Sequence, residues 1–145
     1  MERITVHAKF HTGHRQLGYP GKCKFVHGHT WRATIMVTTD EFPRDELDMS
    51  LDFGDLKGIV RFLDHKMLVT ENDVTFLDPA VFEPEGIVLL KGKGPSVENV
   101  AAYTFEKVVE HISQKFPGQK KAYTISVTII ETENNLFTVE KTVTV

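Results

Sequence analysis

The chain has 145 residues, of which 41% are hydrophobic, and a formal net charge of −3. This length suits one domain covering residues 1–145, with enough apolar side chains to bury a core. No apolar run is long enough for a membrane helix or a signal peptide, and no basic face suggests nucleic acid. We therefore expect a soluble, cytoplasmic protein.

The first third of the chain predicts two strands. Apolar and polar side chains alternate over residues 3–11 and again over residues 27–39, the period of a half-buried strand. The intervening residues 13–26 are rich in glycine and proline and predict an irregular loop.

The middle of the chain predicts two helices. Apolar residues recur every three or four positions over residues 53–68. A second helix is expected to begin at Pro95-Ser96, where Ser96 can cap free backbone amides, and to end before Pro117. Residues 70–94 between them lack a clear pattern and predict an exposed excursion.

The end of the chain predicts a hairpin. Strands over residues 123–131 and 136–145 are joined by a polar turn at residues 132–135. The order β-β-α-α-β-β predicts an α+β fold, a four-stranded antiparallel sheet with two helices packed on one face. We expect the other face to expose apolar side chains and so to favour a homo-oligomer.

The segment His27-Gly28-His29 predicts either a metal site or a surface loop whose histidines bind nothing, and neighbouring residues favour the metal site. Residues two apart on a strand project to the same face, so both imidazoles can reach one point. A catalytic zinc site normally takes three protein ligands and leaves one position open. His14, just past the predicted first strand, is the candidate for the third ligand, with His11 and His7 as competitors on the strand itself.

Four further residues could carry chemistry. Cys23, the only cysteine, is either buried filler or a reactive thiol, and a thiol acts as a base only beside a cation or a histidine. Asp64-His65, expected at the end of the first helix, offers that histidine, although it could instead interact with the helix dipole. Glu131 ends an apolar stripe, either at the solvent boundary or facing a cationic or amide-like ligand.

Taken together, these segments resemble the 6-pyruvoyl-tetrahydropterin synthases and their bacterial relatives, the 6-carboxy-tetrahydropterin synthases of the queuosine pathway. The similar segments are residues 10–17, Cys23 to His29 (Cys-x3-His-Gly-His), residues 51–57 (LDFGDLK), residues 63–65 (LDH), residues 95–101 (PSVENVA) and residues 131–135 (ETENN). Six such elements in the right order cover nearly the whole chain.

The resemblance implies a T-fold, in which subunit sheets join into a barrel within a trimer and two trimers stack as a hexamer, with active sites between subunits. It also implies that Zn²⁺ is bound by His14, His27 and His29, that Cys23, Asp64 and His65 form a catalytic triad, and that Glu131 anchors the pterin ring. The expected activity is elimination of triphosphate from 7,8-dihydroneopterin triphosphate by a carbon–oxygen lyase.

The sequence leaves the product open. The 6-carboxy product is favoured over the 6-pyruvoyl product only by general likeness to bacterial members. A zinc hydrolase that uses metal-bound water, and a non-catalytic pterin-binding protein on the same fold, are the competing functions.

Overall fold

A computed structural model describes all residues from Met1 to Val145. It contains six strands and two α-helices, in the order β1 (Glu2–His14), β2 (His27–Thr39), α1 (Phe53–Arg61), β3 (Lys66–Thr70), β4 (Ile87–Leu90), α2 (Val97–Lys115), β5 (Ala122–Thr132) and β6 (Asn135–Thr144). Short 3₁₀ turns lie at Lys22–Lys24 and Pro84–Gly86. Neither helix is both long enough and apolar enough to span a bilayer.

All six strands form one mixed sheet in the order β4-β3-β1-β2-β5-β6. The four predicted strands pair antiparallel, as expected, through β1/β2, β2/β5 and β5/β6. The prediction of a purely antiparallel four-stranded sheet is wrong, however, because β3 and β4 extend it on the β1 side through parallel pairing. The element order is therefore β-β-α-β-β-α-β-β.

The additional strands arise from two segments that the sequence patterns describe poorly. The helix predicted over residues 53–68 ends at Arg61, and β3 begins five residues later. Met67 fits the helical spacing but lies in this strand, where Leu68, Val69 and Thr70 are buried. The excursion predicted over residues 70–94 contains β4, whose Val88 and Leu90 are also buried.

The core lies between the sheet and the two helices. Alternate residues of the central strands point to it, as the sequence predicts for Trp31, Ala33, Ile35 and Val37. The helices contribute fully buried side chains to the same cluster, which include Leu56, Val60, Val100, Ala101, Val108 and Ile112. Helix α2 begins at the predicted cap, because the Ser96 hydroxyl accepts a hydrogen bond from the Asn99 amide.

The expectation of an apolar outer face is wrong. The side chains that point away from the helices on β1, β2, β5 and β6 are mostly threonines and basic residues. Threonines pair across strands here, as Thr128 does with Thr138 at 2.7 Å, and Lys9 lies opposite Arg32. The exposed large apolar side chains lie mostly elsewhere, in loops and on helix surfaces, among them Phe25, Val26, Phe53 and Phe62. The outer face therefore gives no hydrophobic argument for an oligomer.

Candidate metal and catalytic site

Three histidines meet on the inner face of the sheet. Strand β1 runs on to His14, which pairs directly with His27, while Thr12 pairs with His29. His14 is thus on the strand, and not just past its end as the alternation of residues 3–11 predicts. Alternation turns His14, His27 and His29 to the helix side and turns His7 and His11 to the opposite face. The structure therefore brings together the predicted trio and separates both competitors from it.

Backbone carbonyls orient two of these imidazoles. The Nδ1–H group of His14 donates to the Pro95 carbonyl oxygen at 2.7 Å, and that of His27 donates to the Phe25 carbonyl oxygen at 2.7 Å. A carbonyl can only accept, so in the neutral ring each Nε2 keeps a free lone pair. Such a contact to the remote nitrogen is the usual support of a metal-binding histidine.

The three rings form a compact cluster over Trp31. One ligand atom from each histidine lies within 4.8 Å of the other two. The centroids of the His14 and His29 rings lie 5.0 Å and 5.4 Å from that of the Trp31 ring, which packs against both imidazoles. Burial lowers the pKa of His14 to about 4 and also lowers that of His29, which favours the neutral, metal-binding form of both.

The residues present fit a divalent metal ion. The Nε2 atoms of His14 and His29 are buried and have no hydrogen-bond partner, an arrangement that is unfavourable unless something fills the space between them. Three neutral imidazoles suit zinc, but they accept several other divalent ions as well. The geometry therefore supports a three-histidine metal site without fixing the metal.

Two glycines allow the two strands to approach closely beside the cluster. Gly13 and Gly28 face each other between the His14–His27 pair and the Thr12–His29 pair. A Cβ atom on Gly28 would lie 3.3 Å from the Thr12 carbonyl oxygen, and one on Gly13 would lie 3.2 Å from Met67 Sδ. A side chain at Gly28 would therefore press on the β1 backbone that carries His14, whereas one at Gly13 would first displace the flexible Met67 side chain.

Glu131 lies beside the histidine cluster. It is on the inner face of β5, the face predicted from the apolar stripe, next to an irregularity in the pairing with β6. Its Oε1 atom lies 3.5 Å from His14 Nε2 and 3.7 Å from His29 Nε2. The side chain is 24% exposed, so a ligand in solution can reach it.

Asp64 and His65 form an oriented pair on the other side of β1. Asp64 accepts hydrogen bonds from the His11 backbone N–H at 2.6 Å and from His65 Nδ1–H at 2.8 Å. The His11 amide, and then His65, hold the pKa of Asp64 below its ordinary value. The expectation that this pair ends α1 is wrong, because both residues lie in the link to β3, where His65 has a φ of 59°.

Cys23 lies in the 3₁₀ turn at Lys22–Lys24 and is exposed, which excludes the buried-filler interpretation. It forms no hydrogen bond with Asp64 or His65 within the chain. The His65 ring lies instead beside His11, 6.4 Å between ring centroids, on the face turned away from His14. The structure therefore brings His14, His27, His29 and Glu131 together, but it leaves Cys23 apart from Asp64 and His65.

Sequence reasoning missed two supports of the site. The Pro95 carbonyl that orients His14 gives no signal in the sequence. Arg15, next to His14, forms two hydrogen bonds of 2.7 Å with the buried Asp73, and its guanidinium lies 4.9 Å from the Phe76 ring centroid. This ion pair attaches the start of the segment 70–94 to the end of β1.

Comparison with known proteins gives a consistent result. The family model for 6-pyruvoyl tetrahydropterin synthase matches residues 3–142. The chain is 28% identical to the 6-carboxy-5,6,7,8-tetrahydropterin synthase of Rickettsia bellii, over 92% of this chain and 96% of that one. It is 31% identical to the Haemophilus influenzae protein of the same name, over 53% and 52% of the two chains.

Solved structures share the fold. The 6-pyruvoyl tetrahydropterin synthase of Plasmodium falciparum superposes with a TM-score of 0.70 at 17% identity, over 98% of both chains. The Caenorhabditis elegans 6-pyruvoyl tetrahydropterin synthase does so with a TM-score of 0.54 at 23% identity, over 97% of both chains.

Proposed function

The chain belongs to the 6-pyruvoyl tetrahydropterin synthase family of pterin-forming lyases, and from this premise we propose that it is a zinc-dependent lyase acting on 7,8-dihydroneopterin triphosphate. The observation that carries the proposal is the cluster of three imidazoles beside the Glu131 carboxylate. An ionised carboxylate can accept paired hydrogen bonds from the amino and ring N–H groups of a pterin. The substrate side chain is then held next to the metal-binding nitrogens.

The metal would be held by His14, His27 and His29. When bound, it supplies Lewis-acid chemistry that lowers the pKa of substrate hydroxyls. The protein contributes the rest of the site. Glu131 orients the pterin ring beside the histidine cluster.

Cys23, His65 and Asp64 move the protons in this proposal. Asp64 holds the Nδ1–H group of His65, so the neutral ring presents a free Nε2 lone pair. That nitrogen takes the proton of a thiol, and the resulting thiolate removes a proton from a side-chain carbon of the substrate. Loss of triphosphate follows this deprotonation.

We propose that the triad is completed between subunits. Cys23 is exposed and the His65 side chain is 82% exposed, while within one chain His65 lies on the face of β1 opposite the histidine cluster. A neighbouring copy can bring its Asp64-His65 pair to Cys23. This requirement favours an oligomer, for which we propose a hexamer formed by two trimers.

For the product we favour 6-carboxy-5,6,7,8-tetrahydropterin, because the curated relatives described above carry that name. This product serves the biosynthesis of queuosine and related 7-deazapurines, and such a pathway is expected in the cytoplasm. Forming this product from 7,8-dihydroneopterin triphosphate consumes one water molecule, and purified enzyme should release acetaldehyde together with triphosphate. Formation of 6-pyruvoyl-tetrahydropterin without acetaldehyde would reverse the product assignment.

The decisive test measures metal content and triphosphate release for the wild type and for His14→Ala, His27→Ala and His29→Ala. We expect about one zinc ion per chain in the wild type. Each variant should lose both the metal and the activity. His11→Ala is the matched control, because this neighbouring histidine on the opposite face should leave the metal in place. A wild type without metal would overturn the proposal.

A mixing experiment tests the shared triad. Cys23→Ala and His65→Ala subunits are each expected to be inactive alone. Denatured together and refolded, they should recover part of the activity, because some sites combine an intact cysteine with an intact histidine from another subunit. A mixture as inactive as its components would place the triad within one chain.

A further inference from the structure

Besides its proposed role in binding pterin, Glu131 lies close to two imidazoles of the histidine cluster. Its Oε1 atom is 3.5 Å and 3.7 Å from two imidazole Nε2 atoms, those of His14 and His29. Neither contact is a good hydrogen bond, and both nitrogens remain without a partner. No other hydrogen bond holds the carboxylate within the chain, so its position requires another explanation.

The separations of Glu131 from His14 and His29 match those between ligands of a common metal ion, whereas His27 lies farther from the carboxylate. Zinc binds nitrogen and carboxylate oxygen at roughly 2.0–2.2 Å, so two ligand atoms at tetrahedral corners lie about 3.4 Å apart. We infer that the Glu131 carboxylate is a fourth, exchangeable protein ligand of the three-histidine site in the substrate-free enzyme. The inference rests on the proposed function, because it presupposes that the cluster holds a metal.

The surroundings of Glu131 suit a ligand that can leave. The carboxylate lies near two of the three histidines only, and its side chain is partly exposed. A carboxylate released from the cluster can turn to the N–H groups of a pterin ring. Pterin binding would then withdraw Glu131 and leave one position at the cluster open for substrate hydroxyls. In the substrate-free enzyme Glu131 would occupy the fourth metal position, and this position would become free only when a pterin ring is bound.

The test uses cobalt(II) in place of zinc, because the visible absorption of cobalt depends on the number and type of its ligands. Spectra and zinc affinity, the latter from competition with a chelator, are compared for the wild type, Glu131→Gln and Glu133→Gln. Glu133 is an exposed acidic residue two positions along the chain and serves as the matched control.

We expect Glu131→Gln to change the cobalt spectrum and to weaken zinc binding by about 10-fold or more, whereas Glu133→Gln changes neither. Adding neopterin, which lacks the triphosphate, should change the cobalt spectrum of the wild type but not that of Glu131→Gln. A circular dichroism melt confirms that each variant is folded.

Identical spectra and zinc affinities for the wild type and Glu131→Gln would overturn the inference. If the histidine variants still lose the metal in that case, the proposed function survives and only the fourth ligand is lost. If the wild type takes up neither zinc nor cobalt, both the inference about Glu131 and the proposed function are refuted.

Discussion

The Arg15–Asp73 pair should be a major local contributor to stability, and replacing Arg15 by Met tests this. The substitution keeps most of the apolar stem but removes the guanidinium from Asp73, whose side chain is only 7% exposed. Removing one partner of a buried ion pair costs roughly 3–5 kcal/mol. Because the Arg15 side chain is 23% exposed and water can reach this part of the pair, we expect about 2–3 kcal/mol.

Replacing the other partner of the pair, Asp73, should lower the free energy of unfolding by less. Asp73→Asn leaves a guanidinium that can turn toward water, so we expect a loss of about 1–2 kcal/mol. The double variant removes both charges and should be less destabilised than the sum of the single variants. Urea unfolding of metal-free protein at neutral pH, followed by circular dichroism, measures all four free energies of unfolding. Additive losses, or a larger loss for Asp73→Asn than for Arg15→Met, would refute the reasoning.

Three other predictions concern the site and its supports. Burial lowers the pKa of His14 from 6.5 to about 4, so between these values the unfolded chain binds a proton that the folded chain does not. The free energy of unfolding of metal-free protein should therefore fall as the pH drops from 6.5 to 4, by on the order of 3 kcal/mol from this group. Urea unfolding across this range should give a flatter profile for His14→Gln. Ser96→Ala should cost about 1 kcal/mol in thermal unfolding by removing the cap of α2, whereas Ser113→Ala, in an exposed part of the same helix, should cost less. Cys23→Ala should abolish triphosphate release while metal analysis still finds the zinc bound, whereas substantial remaining activity would favour a hydrolase that uses metal-bound water.

Local patterns were sufficient for much of the fold. Alternation identified β1 and β2, β-branched composition and a polar turn identified β5 and β6, and Ser96 marked the start of α2. The same alternation placed His27 and His29 on one face. It could not decide among the three candidate third ligands, because that choice depends on where β1 ends. In the structure His14 pairs with His27, which places it, and not His7 or His11, beside the other two histidines.

The errors have a physical pattern. The spacing of Leu63 and Met67 continues the helical period, but the chain leaves the helix and reverses at His65. The spacing of apolar residues does not indicate that His65 has a positive φ. The polar outer face was misjudged because β-branched threonine favours strands without being apolar. The Arg15–Asp73 pair joins residues that are 58 positions apart, so only the assembled sheet reveals it.

Trp31 gives the protein an internal optical reporter. It is the only tryptophan in the chain, and its buried indole contacts two of the three clustered imidazoles. Tryptophan emission responds to charged and polar groups at such distances, so protonation of the cluster or arrival of a metal should change the fluorescence. Loading of the site could therefore be followed in real time on unlabelled protein, with no engineered probe and no need for the reaction to proceed.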